Sequence, residues 1–317
     1  MTALAREVSR SGAALLLLAA LCWGNVAGAG QPTELRWRPE WPRFRTAEAI
    51  FTGALLVPIA GALFLYPHPK ANWHGGILFD DAARDALVLH EKSERDRAAR
   101  VSDTIYHGLA VYPLLVDNAL VAWGVHGSGD VALEMLGINL EAYALTGAIA
   151  LSGEAIGRVR PAEHGCQADP TYSSKCNNPT AMNKSFMSGH TAISFTSAGL
   201  ICAHHQNLPL YGGGWADTAA CWLALALSAG AGMLRVASDN HYTSDVLIGT
   251  GVGLASGYLL PTWLHYRGTT LQQSRALLQQ LTSWLPKFHV PEAPTFSAVL
   301  APRFASNYAG ASLVGSY

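Results

Sequence analysis

Charge of one dominant sign, cysteines at metal-binding spacing, internal repeats and low-complexity tracts are all missing from this 317-residue chain. Lysine plus arginine number 21 against 22 for aspartate plus glutamate, and no basic run or basic-aromatic patch occurs, so nucleic acid is not an expected partner. None of the five cysteines stands at zinc-ligand spacing. Without repeats, the chain is long enough for one large domain with a substantial core.

The amino terminus reads as a secretory signal over residues 1–29. Arg6 and Arg10 precede the apolar run Ala13 to Cys22, and Ala27-Gly28-Ala29 offers a small-residue cleavage site. Ten apolar residues are short for an uncleaved membrane span. Leu21 before Cys22 is too bulky for lipid attachment, so that cysteine is expected to leave with the signal. An extended lead-in rich in Pro, Trp and Arg follows over 30–46.

Three short strings carry chemistry: Arg160-Pro161, Ser188-Gly189-His190 and Arg235-x5-His241-x3-Asp245. Arginine stays protonated at any working pH and its fork donates two parallel hydrogen bonds, so Arg160 and Arg235 suit the nonbridging oxygens of a phosphoryl group. A histidine attacks phosphorus only when neutral at the attacking nitrogen. A carboxylate on its other nitrogen fixes that tautomer, and Asp245, one helical turn from His241, is expected to be that carboxylate. His190 opens an apolar run from a tight glycine turn, where helix-start amides attract anions, and is placed to protonate the leaving oxygen. Each string alone is at chance level; together and in this order they outline a phosphoryl-transfer site.

The three strings resemble the signature of the type 2 phosphatidic acid phosphatase and vanadium haloperoxidase superfamily: Lys-x6-Arg-Pro, then Pro-Ser-Gly-His, then Ser-Arg-x5-His-x3-Asp. Three positions depart from it. Gly153 stands where the lysine belongs, Met187 replaces the proline and Leu234 replaces the serine. The resemblance implies an all-α bundle of about six core helices over 47–268, with a C-terminal helix and short irregular tail over 269–317. It implies that His241 forms a phosphohistidine oriented by Asp245, that His190 is general acid and then base, and that Arg160, Arg235, Ser188 and the Gly189 amide hold the phosphoryl oxygens. No metal or other cofactor is then needed. Losing the lysine contact costs on the order of 1.5 to 3 kcal/mol, with Arg158 or Lys184 as candidate compensating cations. The resemblance leaves open a vanadate-dependent haloperoxidase and a degenerate phosphate or phospholipid binder as alternatives to an acid phosphatase or lipid phosphatase.

Cys166 and Cys176, in a polar segment between the first two motifs, are expected to form a disulfide in an oxidising compartment, worth roughly 3 kcal/mol. Cys202 and Cys221 sit in apolar helical stretches and are expected to remain free thiols.

Six apolar stretches, near 47–66, 106–123, 131–150, 191–204, 216–234 and 246–264, would also suit a multi-pass inner-membrane protein. Against that, a cleaved signal followed by three crossings puts Cys166 and Cys176 in the reducing compartment. Asp117, Asn118, Glu134, Asn139, Glu141, His204 and His205 are costly in hydrocarbon, and the mean hydropathy is only +0.18. The expectation is therefore an exported, periplasmic or envelope-associated helical bundle, with the first stretch as a membrane contact. In the tail, 271–285 reads as an amphipathic helix, Pro286, Pro291, Pro294 and Pro302 as breakers, and 309–317 as a strand.

Overall fold

The computed structural model describes residues 35–65 and 69–266, together with the backbone of 297–305 and 308–316. The proposed signal, the start of the lead-in and the expected helix at 271–285 lie outside the described residues.

The described domain is helical. Its elements are α1 (Thr46–Leu65), α2 (Asp80–Leu87), α3 (Lys92–Tyr112), α4 (Gly129–Glu154), the short α5 (Glu163–Ala168) and α6 (Pro179–Met182), α7 (Gly189–Asn207), α8 (Trp215–Ala237), α9 (Thr243–Leu254) and α10 (Leu260–Leu264). Pro113, which has no N–H to continue the α-helical ladder, starts a π-helical continuation of α3 over Pro113–Val125. A second π-helical segment, Ala255–Leu259, joins α9 to α10. Before α1 the chain is irregular yet packed, with Leu35, Trp37 and Trp41 buried and both indoles set against the ring of Tyr266.

Helix α7 is the axis of the bundle, buried along most of its length and packed by α3, α4, α8 and α9. Its partners fix its direction. Thr146 meets Thr196 and Asn139 meets His204, so α4 runs antiparallel to it. Ser228 donates to the Ser194 carbonyl and Gly232 lies against Thr191, so α8 is also antiparallel. Against α9 the match is parallel and backbone-close. A Cβ on Gly249 would stand 2.8 Å from the Ser188 carbonyl oxygen, and one on Gly253 or Gly257 would overlap the carbonyls of Ala192 or Thr196. Glycines four residues apart against a partner face also four residues apart form a small-residue seam that larger side chains would force open. As a result the end of α4, the start of α7, the end of α8 and the start of α9 all meet at one end of the bundle. Those four ends carry the three motifs.

Three expectations are corrected. Cys202 and Cys221 are bonded to each other, because antiparallel α7 and α8 bring their Cα atoms to 4.4 Å; Cys166–Cys176 forms as expected. The polar groups read as costly in hydrocarbon all face inward, and among the described residues all but Asn118 have a polar partner. His204 meets Asn139 at 2.9 Å, Tyr211 donates to Asp117 at 3.0 Å, and His265 meets Glu141 at 3.1 Å. They therefore no longer weigh against lipid contact. Pro302 does not break the tail: the unit 271–317, a separate compact unit, contains an antiparallel pair β1 (Ser297–Ala305) and β2 (Tyr308–Ser316) with Pro302 opposite Ala311.

Four helical stretches, Lys92–Val125, Gly129–Glu154, Trp215–Ala237 and Thr243–Leu264, are long and apolar enough to cross a membrane. Their outward faces carry large apolar residues, including Leu115, Trp123, Leu133, Trp222, Leu223, Leu259 and Trp263, each more than half exposed. Patches of this kind on a surface call for an apolar neighbour.

Candidate active site

His241 lies in the turn between α8 and α9, one residue before the cap Tyr242, rather than on the helix with Asp245. Its ring is nearly closed from solvent. Nδ1 stands 2.7 Å from the Ser185 carbonyl, an acceptor only, so Nδ1 carries the hydrogen. Nε2 is then the unprotonated nitrogen, and it accepts from Arg160 Nη1 at 3.0 Å. Burial first, then the positive charges of Arg160 and Arg235, holds the imidazole pKa well below its usual 6.5. The ring is thus kept neutral with its lone pair turned to a guanidinium.

The expected direct bond from Asp245 to His241 is corrected: the carboxylate is 4.0 Å from Nδ1. Asp245 acts one step further back. Its Oδ2 accepts from the Ser185 hydroxyl at 2.6 Å and from the Tyr242 amide at 3.0 Å, gripping both the residue that orients the imidazole and the residue that follows it. Sequence spacing suggested a same-helix pair. The helix instead begins at Thr243, so Asp245 closes a capping box with Tyr242.

Arg158 is not a spare cation for substrate. It is wholly buried, donates to Asp245 Oδ1 at 2.5 Å, Asp80 Oδ2 at 2.9 Å, Ser244 Oγ at 2.8 Å and the Gly75 carbonyl at 3.1 Å, and lies between the rings of Trp73 and Tyr242. Lys184, the other candidate, pairs with Glu154 at 2.9 Å. Neither fills the role that Gly153 leaves open. The structure also shows why position 153 is small: a Cβ there would meet the Met187 amide nitrogen at 3.0 Å.

Arg160 donates Nε to the Ala181 carbonyl at 2.8 Å and Nη1 to the Asn240 carbonyl at 2.5 Å, which aims the guanidinium at His241. Burial and then Arg235 draw its pKa down to about 10, which leaves it a cation near neutral pH. Arg235, at the end of α8, donates Nε to Ser102 Oγ at 2.7 Å and also meets Asp103. Asp103, missed in the sequence, is the carboxylate beside His190: His190 Nε2 stands 3.1 Å from Asp103 Oδ1. Burial lowers the His190 pKa, and the hydrogen bond to Asp103 opposes that fall. Nothing local to Asp103 marked it, since its partners lie 87 and 132 residues further on.

The Ser188 side chain caps α7. Its hydroxyl accepts from the Thr191 amide at 3.4 Å and shares a hydrogen with Thr191 Oγ1 at 2.8 Å. Gly189 opens α7 on unfilled space, since a Cβ there would meet nothing within 4 Å. A helix start of this kind receives an anion readily.

Two histidines, two guanidiniums and a helix start therefore surround one end of the bundle. Residues 135–269, which hold all of these, match the PAP2 superfamily. Over that stretch the helical domain is similar to the PAP2 superfamily. The similarity supports a phosphatase-type activity in its coarse form. No curated protein matches the chain.

Proposed function

We propose that the protein is an exported, metal-independent phosphatase that hydrolyses phosphate monoesters through a phosphohistidine at His241. The observation that carries this reading is the tautomer of His241: the Ser185 carbonyl holds the Nδ1 hydrogen, and the Nε2 lone pair faces Arg160. In the first step Nε2 forms the N–P bond, the ester P–O bond breaks, and the leaving oxygen takes the proton of His190. In the second, His190 removes a proton from water, whose oxygen bonds phosphorus while the N–P bond breaks and inorganic phosphate leaves. Arg160, Arg235 and the Gly189 amide balance the charge on the nonbridging oxygens, the task a metal ion performs elsewhere. Two disulfides support an oxidising compartment, and the apolar outward faces of four helices support contact with lipid and favour lipid phosphates as substrates.

Hydrolysis of an aryl phosphate and of a phosphatidic-acid-type lipid, compared between the wild type and His241→Ala, tests the reading. Loss of at least about a thousandfold, with an alkali-stable, acid-labile phosphoryl group trapped on wild-type protein alone, is expected for a lost nucleophile. Equal rates for the two proteins would overturn it. Orthovanadate, as a phosphate mimic, should inhibit; peroxidase activity appearing on its addition would favour the haloperoxidase instead.

A further inference from the structure

The cation missing from position 153 has a candidate replacement elsewhere in the chain. Lys175 reaches across 65 residues of sequence to donate Nζ to Asn240 Oδ1 at 2.5 Å. The backbone carbonyl of the same Asn240 accepts from Arg160 Nη1, which in turn meets His241 Nε2. Lys175 is thus held by the residue that precedes His241 and that also receives Arg160, near enough for the charges of Arg160 and Arg235 to act on it. Among the described residues no carboxylate oxygen lies within 4.0 Å of its Nζ, and its pKa is drawn down to about 8 by burial and then by the charges of Arg160 and Arg235. Arg160 and Arg235 repel the Lys175 ammonium, a repulsion that Asp103 and Asp96 oppose, and an anion between the three cations relieves it.

The loop that carries Lys175 is built to hold it there. Cys176 is bonded to Cys166 of α5, the short helix that follows Arg160-Pro161, so the lysine is tied to the segment bearing the first arginine. The Lys175 amide donates to Ser173 Oγ at 3.2 Å and the Ser173 amide to Cys176 Sγ at 3.2 Å, which closes the turn. Position 153 itself is crowded by the Phe186–Met187 backbone, so a long side chain could start there only if that backbone moved.

We propose that Lys175, delivered by the Cys166–Cys176 loop, is the third phosphoryl-binding cation of this site. The inference rests on the phosphatase reading above and deepens it. It predicts that Lys175 contacts a nonbridging oxygen when phosphate binds, taking over a contact that Arg158 and Lys184 are not placed to make.

The test uses the full-length chain as Lys175→Met and Lys175→Arg beside the wild type and His241→Ala, reading kcat and KM on an aryl phosphate and the affinity for inorganic phosphate from about pH 8 to about 9, where phosphate is mostly a dianion and Arg160 keeps its charge. Lys175→Met should lose about ten- to a hundredfold in kcat/KM and in phosphate affinity, the worth of one charge-assisted contact. Lys175→Arg should recover most of both. Wild-type affinity should fall above about pH 8 as the ammonium loses its proton, and the Lys175→Arg profile should stay flat because arginine does not. A purely structural role would not produce that difference in pH profile. Wild-type phosphate affinity in Lys175→Met, or identical pH profiles for wild type and Lys175→Arg, overturns the inference while the His241-dependent hydrolysis leaves the phosphatase reading standing. If the wild type hydrolyses no ester, the phosphatase reading falls and the phosphate titration alone decides Lys175.

Discussion

Replacing Arg158 by methionine should unfold the site end of the bundle more readily than any substitution of a residue expected to touch substrate. The guanidinium is fully buried, hydrogen-bonded to Asp245, Asp80, Ser244 and Gly75, and stacked between two aromatic rings. Methionine fills much of the volume but leaves Asp80 and Asp245 buried and negative without their cation. Breaking one side of a buried ionic network costs about 3–5 kcal/mol. At roughly 2–4 °C per kcal/mol for a domain of this size, that is a Tm lower by about 6–20 °C. Thermal unfolding followed by circular dichroism, in detergent where the protein needs it, reads the shift. Adding Asp80→Asn to Arg158→Met should return part of the loss, because one orphaned charge is removed, and the double-mutant cycle measures how much. Activity at temperatures where Arg158→Met is still folded should also fall, since Asp245 grips Ser185 and the Tyr242 amide on either side of His241. A Tm within about 2 °C of wild type, with no coupling to Asp80, would refute the argument that Arg158 holds this end together.

On an alkyl phosphate, whose poor leaving group needs a proton, kcat/KM should fall as pH rises through the lowered His190 pKa, while the neutral His241 persists to well below pH 6.5, giving an acidic optimum. Asp103→Asn removes a hydrogen bond that raises the His190 pKa, so the falling limb should move to lower pH; an unmoved limb would separate Asp103 from the proton transfer. Gly253→Leu, at the seam between α7 and α9, should cost more than about 3 kcal/mol and lower activity, whereas Gly251→Ala, with nothing within 4 Å of the added Cβ, should be neutral or slightly stabilising in denaturant titrations. Ser replacement of Cys166 and Cys176, or of Cys202 and Cys221, should cost about 3 kcal/mol per bridge in the same titrations by the loop-entropy estimate. After osmotic shock and alkaline carbonate washing, the protein should stay with membranes; its release with the soluble envelope contents would count against lipid contact.

Much of the site was legible because phosphate chemistry writes itself locally. An arginine before a proline, a histidine after Ser-Gly and a histidine four residues before an aspartate each place a reactive group at a helix end, and the helical class followed from apolar stretches long enough to form the bundle. The polar setting of Cys166 and Cys176 identified that bridge.

Other features depended on contacts no local pattern encodes. Asp80 reaches Ser244 across 164 residues and Asp103 reaches Arg235 across 132. Those distances explain why the buried anchor Arg158 looked like a spare cation and why Asp103 and Lys175 went unread. Ser188 could be a ligand or a cap by its sequence; only the geometry of the α7 start turned its hydroxyl inward. Cys202 and Cys221 became a pair because α7 and α8 run antiparallel. A short motif can specify which reactive groups a chain owns, since that is a matter of residue type and spacing along one turn. Which of them face one another is set by how helices pack, and that packing comes from the glycine seam and the buried ionic network acting across the whole fold.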